Sequence, residues 1–367
     1  MYLEFTTAPR HLMFGQASKI PYNKHNKPVL LAAFVLPMVL FLVSCAGGSP
    51  QWRKAEGAVW GTTYSIKYYG SRDLSDSIIA EMRLVEQSLS MFDPNSNVSR
   101  INSRLTDTMT LMTAEVFIEA RAVSERSGGM FDPTVGPLVD LWGFGRDRDV
   151  PAVMPDSLAV AGRLAGVGIS DCSFDIAANR IRLKNAGTQL DFSAIAKGYG
   201  VDCVGNVLVR NGVEDFLVEI GGEMSLSGKN PEGNDWHVRI VSPESGRVGN
   251  VPLCTLDLTD CCVATSGNYR NFRTLDDGTV VGHTISPITG YPVVTDVRQA
   301  TVISSRCITA DAIATACMAM GSEPALKMAD RMSDVSLLLV TVAPDGSMHT
   351  IKYGPVFNTS DPLVEAL

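Results

Sequence analysis

Two oxygen-bearing side chains in the last quarter of the chain have the types and spacing of a metal site. Asp311 and Thr315 stand four residues apart in ADAIATACMAMG, a stretch of mostly small residues with a helical pattern. Side chains four apart lie on one face of a helix. Mg²⁺ prefers such oxygen ligands and takes few of them from a protein, which leaves positions for phosphate oxygens. The alternative is that Asp311 only caps the helix.

A second stretch, LDFSAIAKGYGVD at residues 190–202, places two aspartates, a lysine and two glycines around a short apolar segment. It matches neither a GxxxxGK[ST] phosphate loop nor a GxGxxG dinucleotide turn. Because glycine lets a ligand or another backbone approach closely, six stretches of this kind together predict one large polar ligand in a long cleft, although each alone is more typical of a structural turn. The other five are GGMFDPTVGPLVDLWGFG (128–145), VEIGGEMSLSGKNPEG (218–233), VATSGNYRNF (263–272), GHTISPITGYP (282–292) and TADAIATA (309–316).

His283 is one of five histidines and lies in a stretch that Pro287 and Gly290 constrain. A loop histidine beside a phosphate site can act as a general base, although a single histidine is more often a surface or packing residue. Trp60 and Phe92 could stack on flat rings of a ligand, whereas aromatic side chains are otherwise core residues.

The elements that must position these residues come in mixed order. Residues 59–70 alternate like a strand, 75–93 and 113–129 have helical patterns, and 335–353 predict a hairpin that turns at APDG. Strands and helices do not alternate regularly, so the sequence favours an α+β fold over a doubly wound sheet. A length of 367 residues with 45% hydrophobic and 19% charged residues is ordinary for one large domain.

The N-terminus predicts an exported protein. Lysines precede the apolar run PVLLAAFVLPMVLFLVS (28–44), which is shorter than the roughly 20 residues of a membrane-spanning helix and ends in LVSC. LVSC is typical of a bacterial lipobox, so residues 1–45 are interpreted as a lipoprotein signal peptide ending at the lipidated Cys45. The alternative is a plain secretory signal. Residues 46–57 are then expected to be a flexible tether to a domain over residues 58–367.

Charge and cysteine usage exclude other classes. The net charge of −8 argues against nucleic acid as a partner, because phosphate binding needs a basic surface. Seven cysteines remain after Cys45, without a CxxC spacing. They predict buried free thiols rather than a disulfide framework or a zinc site.

Seven motifs in this order strongly resemble those of the ApbE-type FAD:protein FMN transferases: WGTTYSI, FDPTVGPLVDLWGFG, LDFSAIAKGYGVD, VEIGGEMSLSGKNPEGNDWHVRI, TSGNYRNF, HTISPITGYP and ADAIATA. The similarity covers nearly all of residues 58–355. It implies a single α+β domain of the T-fold-like kind, with mixed or antiparallel sheets and packed helices. It further implies that FAD is the substrate, with Mg²⁺ at its pyrophosphate, and that FMN is transferred to a threonine or serine hydroxyl of an acceptor protein with release of AMP.

The resemblance also implies where the protein acts and on what. Members of the family are typically periplasmic lipoproteins, which fits Cys45 and implies a lipid anchor in a membrane of the bacterial cell envelope, on its periplasmic or outer face. The expected acceptors are subunits of membrane redox complexes that carry a Ser/Thr-Gly-Ala-Thr-like motif.

The matching motifs also imply which residues of this sequence form the site. The resemblance implies that the metal is held by the backbone carbonyl of Ala194, the carboxylate of Asp311 and the hydroxyl of Thr315. It gives His283 the role of activating the acceptor hydroxyl and makes Asp311 the second catalytic residue. The implied FAD contacts are Trp60, Phe92, Asp132, Pro133, Thr134, Asp191, Lys197, His283 and Thr284.

The sequence departs from the family pattern at three positions. Trp60 replaces the methionine of MGT, Ser286 replaces the aspartate of HxIDPxTG, and Asn97 replaces an acidic residue in the segment SNVSRIN. None of these departures removes a metal ligand or His283. The serine bears on how His283 is oriented.

Two other functions fit parts of the same pattern. An FAD pyrophosphatase would use almost the same residues, with water in place of the acceptor hydroxyl, and would give FMN and AMP. Phe92 weakly favours transfer. A lipid-anchored flavin-binding protein without turnover would not need Asp311, Thr315 and His283 together.

Overall fold

One antiparallel sheet of nine strands organises the chain. The computed structural model describes residues 48–146, 151–243, 251–268 and 272–367, so the predicted lipobox at Cys45 lies outside the described residues. Ser49–Leu367 form one compact unit. The sheet has the order β1-β2-β5-β6-β9-β12-β13-β14-β15, and each neighbouring pair is antiparallel. Its strands are β1 (Gln51–Val59), β2 (Thr62–Gly70), β5 (Phe216–Ile220), β6 (Glu223–Ser227), β9 (Cys261–Gly267), β12 (Val297–Ser304), β13 (Ser336–Val342), β14 (Met348–Gly354) and β15 (Thr359–Ala366).

Three two-stranded ribbons and eight α-helices complete the described part of the chain. The ribbons are β3 (Ser173–Asp175) with β4 (Arg180–Arg182), β7 (Trp236–Val241) with β8 (Pro252–Leu258), and β10 (Phe272–Thr274) with β11 (Val280–Gly282). The helices are α1 (Ser75–Leu89), α2 (Asn97–Asn102), α3 (Leu111–Arg126), α4 (Gly136–Leu141), α5 (Ser157–Leu164), α6 (Ala196–Arg210), α7 (Cys307–Met320) and α8 (Ser322–Ala329). The predicted α+β fold with packed helices is confirmed.

Helix α7 lies at the centre of the main core. It packs on β9 and β12 and against α3 and α6. Nearly all of its residues are buried, because alanines and other small residues on every side let sheet and helices approach closely. The opposite face of the sheet is covered by the β7–β8 ribbon, whose Val238 and Ile240 pack on Leu226, Val263 and Ile303.

Helices α6 and α7 touch at a glycine. A Cβ atom at Gly198 would lie 2.4 Å from the carbonyl oxygen of Cys307 and 2.7 Å from Cβ of Asp311. These separations are shorter than any real Cβ contact, so only glycine allows the first turns of the two helices to meet.

An aspartate of α6 caps the start of α7. The α7 N-cap residue, Arg306, makes no side-chain capping bond. Instead, the N–H groups of Cys307 and Ile308 donate to Oδ1 and Oδ2 of Asp202 at 2.8 and 3.0 Å. Asp202 therefore satisfies two of the donors that every helix N-terminus leaves open, and it fixes α7 relative to α6.

The sequence predictions for the elements hold with two corrections. The hairpin over residues 335–353 is confirmed as β13 and β14. The expected tether is wrong from Gln51 onward, because Gln51–Val59 form the edge strand β1 and pair with β2 along its whole length. The single strand expected over residues 59–70 is interrupted near its start, because the chain turns at Trp60–Gly61. Val59 therefore ends β1, and β2 begins at Thr62. Within the described residues, no helix is long and apolar enough to cross a membrane.

The seven described cysteines are free, and each is at least partly buried. This agrees with the buried free thiols that the spacing of the cysteines predicts.

The contact at Gly198 predicts a large difference between two glycines of one helix. We expect Gly198→Ala to lower the free energy of unfolding by about 1–3 kcal/mol, because the added methyl group forces α6 away from α7. Gly205→Ala is the matched control: its Cβ would meet Ser225 Oγ at an ordinary 3.5 Å, so replacing a helix-interior glycine should stabilise by about 0.5–1 kcal/mol. Urea denaturation measures both, and equal effects would contradict the packing account.

Candidate active site

The carboxylate of Asp311 is buried at the junction of α6 and α7. Its Oδ2 atom accepts a hydrogen bond from the N–H of Gly198 at 2.9 Å. Gly198 lies in the first turn of α6, where backbone N–H groups have no acceptor within the helix. The carbonyl of Ala194, just before that turn, accepts none of the backbone hydrogen bonds of the described residues. The structure thus leaves a carbonyl oxygen at the start of α6 and orients a carboxylate beside the same turn.

Thr315 lies one turn further along α7, on the same face as Asp311. Its hydroxyl is 3.3 Å from Oγ of Ser266 on β9. Within the described residues, no group of three or more His, Cys, Asp or Glu side chains could hold a metal ion. One carboxylate with hydroxyl and carbonyl oxygens is nevertheless the sparse oxygen set that suits Mg²⁺ when phosphate oxygens supply further ligands.

Lys197 forms an ion pair with Glu223, a residue that the sequence did not single out. Lys197 Nζ lies 2.9 Å from Oε1 of Glu223 and 3.9 Å from Oδ2 of Asp311. In the sequence, only the position of Glu223 directly after Gly221–Gly222 indicates a functional residue. In the structure, Oε2 of Glu223 is buried and has no hydrogen-bond partner among the described residues. The junction therefore holds two carboxylates and one ammonium group.

The charges of this cluster shift one another's pKa values. Burial, together with the negative charge of Asp311, raises the pKa of Glu223 to about 7, while Lys197 opposes the shift. Burial alone would lower the pKa of Lys197, but the two carboxylates raise it above its usual value. Lys197 is thus a permanent cation at neutral pH.

The loop at residues 132–134 is held by its own side chains. Oδ1 of Asp132 accepts from the N–H and hydroxyl of Thr134 at 2.8 and 2.5 Å, and Oδ2 accepts from the N–H of Ile169 at 2.9 Å. Burial raises the pKa of Asp132 against the effect of these bonds. The carbonyl of Pro133 accepts from the N–H of Asp191 at 2.6 Å. The structure thus brings this buried loop beside the start of the 190–202 stretch.

The His283 loop is joined to the neighbourhood of Thr315 through β9. The hydroxyl of Thr284 donates to Oδ1 of Asn268 at 2.8 Å, and Asn268 follows the strand that carries Ser266. The ring of His283 packs edge-on against Phe144, with centroids 6.3 Å apart. A single residue, Gly267, therefore separates Ser266, the partner of Thr315, from Asn268, the partner of Thr284.

The hydroxyl of Ser286 stabilises the turn after His283, as the carboxylate of an aspartate would. This hydroxyl accepts from the N–H groups of Ile288 and Thr289 at 3.3 and 3.1 Å. An aspartate at this position would accept the same two bonds. The departure at Ser286 therefore preserves the loop after His283.

Trp60 packs against α6 at Gly200. It occupies the β1–β2 turn with φ of 50°, and a Cβ at Gly200 would lie 2.2 Å from its Cη2 atom. Its indole Nε1 is buried without a hydrogen-bond partner among the described residues. The indole ring thus lies against the helix that carries Lys197.

Phe92 lines a separate part of the surface. It is 74% exposed and borders a cleft of about 350 Å³ together with Met91, Pro94, Ser99, Asn102, Ser103, Arg146 and Gln189. The side chain of Asn102 exchanges two hydrogen bonds with the backbone of Leu190, at 2.7 and 2.8 Å. One stretch, residues 189–198, therefore runs from this cleft to Asp311.

Fold and site together define a class of α+β protein in which two helices meet at their N-terminal turns over an antiparallel sheet and enclose one buried carboxylate cluster. A profile of the ApbE family matches residues 60–339. The chain belongs to the ApbE family.

Relatives and solved structures agree with this assignment. The chain is 34% identical over 320 residues to the FAD:protein FMN transferase of Vibrio cholerae, covering 85% of this chain and 93% of the relative. It is 30% identical to that of Haemophilus influenzae, covering 86% and 93%. Its fold matches the flavin transferase ApbE from Vibrio cholerae with a TM-score of 0.75 and 32% identity, covering 84% and 98%. The apo flavinyl transferase ApbE of Pseudomonas stutzeri matches with a TM-score of 0.73 and 30% identity, covering 84% and 96%.

Proposed function

We propose that this chain transfers the FMN moiety of FAD to a threonine or serine hydroxyl of an acceptor protein and releases AMP. The observation that carries the proposal is the buried Asp311 carboxylate, oriented by Gly198 and flanked by Lys197, in a chain of the ApbE family. A carboxylate for a cation and an ammonium for a phosphate are what a pyrophosphate substrate requires.

Three oxygen ligands of this chain fit Mg²⁺. Asp311, Thr315 and the carbonyl of Ala194 would hold it, and it would supply charge neutralisation at the pyrophosphate. The cleft beside Phe92 and the indole of Trp60 would contact the ring systems of FAD. Asp132, Pro133, Thr134, Asp191 and Thr284 would line the nucleotide along the loops that the fold brings together.

The chain's own residues account for the remaining chemistry. Lys197 lies in the first turn of α6, so its ammonium and the helix N-terminus would stabilise negative charge on the phosphates. His283 would accept the proton of the acceptor hydroxyl as its oxygen bonds to the FMN-side phosphorus. The bond from that phosphorus to the AMP-side oxygen breaks, and AMP leaves with the electron pair. Positioning carries most of such phosphoryl transfer.

The transfer reaction is tested with FAD, Mg²⁺ and an acceptor domain that bears a Ser/Thr-Gly-Ala-Thr-type motif. Mass spectrometry of the acceptor should show a gain of FMN less water, with AMP formed in equal amount only when the acceptor is present. AMP and free FMN without an acceptor would identify a pyrophosphatase instead. Intact FAD under all conditions would identify a flavin-binding protein.

The role of His283 is tested in the same assay. We expect His283→Ala to slow labelling of the acceptor by about 10²–10⁴-fold while FAD binding, followed by flavin fluorescence, changes little, because a general base does not hold the ligand. His237→Ala, an exposed histidine of β7, is the matched control and should label normally. Full labelling by the His283 variant would show that the hydroxyl is activated in another way.

We also propose that Cys45 carries a lipid that anchors the protein in the cell envelope, facing the periplasm or the outside. The support is the LVSC sequence at the end of an apolar run. Membrane redox-complex subunits would then be acceptors within reach. Cys45→Ala should abolish palmitate labelling and move the protein to the soluble fraction, and labelling that persists would rule out this anchor.

A further inference from the structure

The ammonium group of Lys197 lies between two buried carboxylates but bonds to only one of them. Its Nζ atom is 2.9 Å from Oε1 of Glu223 and 3.9 Å from Oδ2 of Asp311. The first distance is a charge-assisted hydrogen bond and the second is not. Both carboxylates are almost completely buried, so their attraction to a cation is only weakly screened by water.

The three groups are held on different elements. Asp311 is fixed on α7 by the N–H of Gly198. Glu223 begins β6 after a tight turn in which the N–H of Gly221 donates to the carbonyl of Thr63 at 3.0 Å. Lysine, by contrast, has a flexible four-carbon stem that can reach either carboxylate. The position of the ammonium group is therefore set by Glu223.

A lysine that bonded to Asp311 would compete with a metal ion for the same oxygens. We infer that Glu223 is a positioning residue that holds Lys197 away from Asp311 and thereby keeps the Asp311 carboxylate available to a divalent cation. The inference rests on the proposed function, which places the cation at Asp311. It assigns a role to Glu223. It also explains how Asp311, as a cation ligand, and Lys197 can lie side by side at one buried junction.

The test is a double-mutant cycle on metal affinity. Mn²⁺ is the probe, and free Mn²⁺ is measured by electron paramagnetic resonance at pH 8 with full-length protein in detergent. Glu223→Gln should weaken Mn²⁺ binding about tenfold, within the range of coupling between contacting residues, because Lys197 then pairs with Asp311. In a Lys197→Met background the same substitution should change the affinity by less than about threefold.

Two further variants are controls for net charge and for the metal site itself. Glu214→Gln removes an equal charge from an exposed position near β5 and should leave Mn²⁺ affinity unchanged. Asp311→Asn should abolish binding. If Asp311→Asn binds as tightly as the unmodified protein, the proposed metal site fails, and the role of Glu223 fails with it.

The role of Glu223 alone fails under two other outcomes. One is a weakening by Glu223→Gln that is equally large in the Lys197→Met background, which would show a simple effect of net charge. The other is no weakening by Glu223→Gln when binding does depend on Asp311. Thermal melting without metal verifies that each variant is folded. If Glu223→Gln does not fold, Glu223→Asp replaces it, since the shorter carboxylate also releases Lys197 and should give a weakening that Lys197→Met removes.

Discussion

The close approach of α6 to α7 at Gly198 is the constraint on which the site depends. Because this residue has no Cβ, the carbonyl of Cys307 and the side chain of Asp311 can lie against the first turn of α6. The same residue then donates its N–H to Asp311. One missing methyl group therefore determines both the packing of two core helices and the orientation of the carboxylate on which the proposed chemistry rests.

Several other features follow from this junction. Asp202 caps α7 from the second turn of α6, so the two helices cannot shift independently. Lys197, one residue before Gly198, is brought within reach of Asp311 and is retained by Glu223. At the other end, Thr315 contacts Ser266 on β9, and the chain beyond that strand leads to the His283 loop. The junction thus connects helices, sheet and loops around one charge cluster.

The sequence predicts those parts of the site that depend on local spacing. Asp311 and Thr315 share a helix face because of the helical period, and the turn at APDG determines the last hairpin. Glu223 and Lys197 are 26 residues apart, and Asp202 lies more than 100 residues before the helix that it caps, so no local pattern marks either contact. The turn at Trp60 is not predicted by the sequence, because a bulky residue there adopts a positive φ that normally favours glycine.

The central claim is that a divalent cation binds at the junction of α6 and α7 when FAD is present. A crystal structure with FAD and Mn²⁺, recorded with anomalous diffraction, tests it most directly. The account predicts one strong anomalous peak within about 2.5 Å of the Asp311 carboxylate, the Thr315 hydroxyl and the Ala194 carbonyl, with the FAD phosphates completing its coordination. A peak away from Asp311, or FAD phosphates bound elsewhere on the molecule, would contradict it.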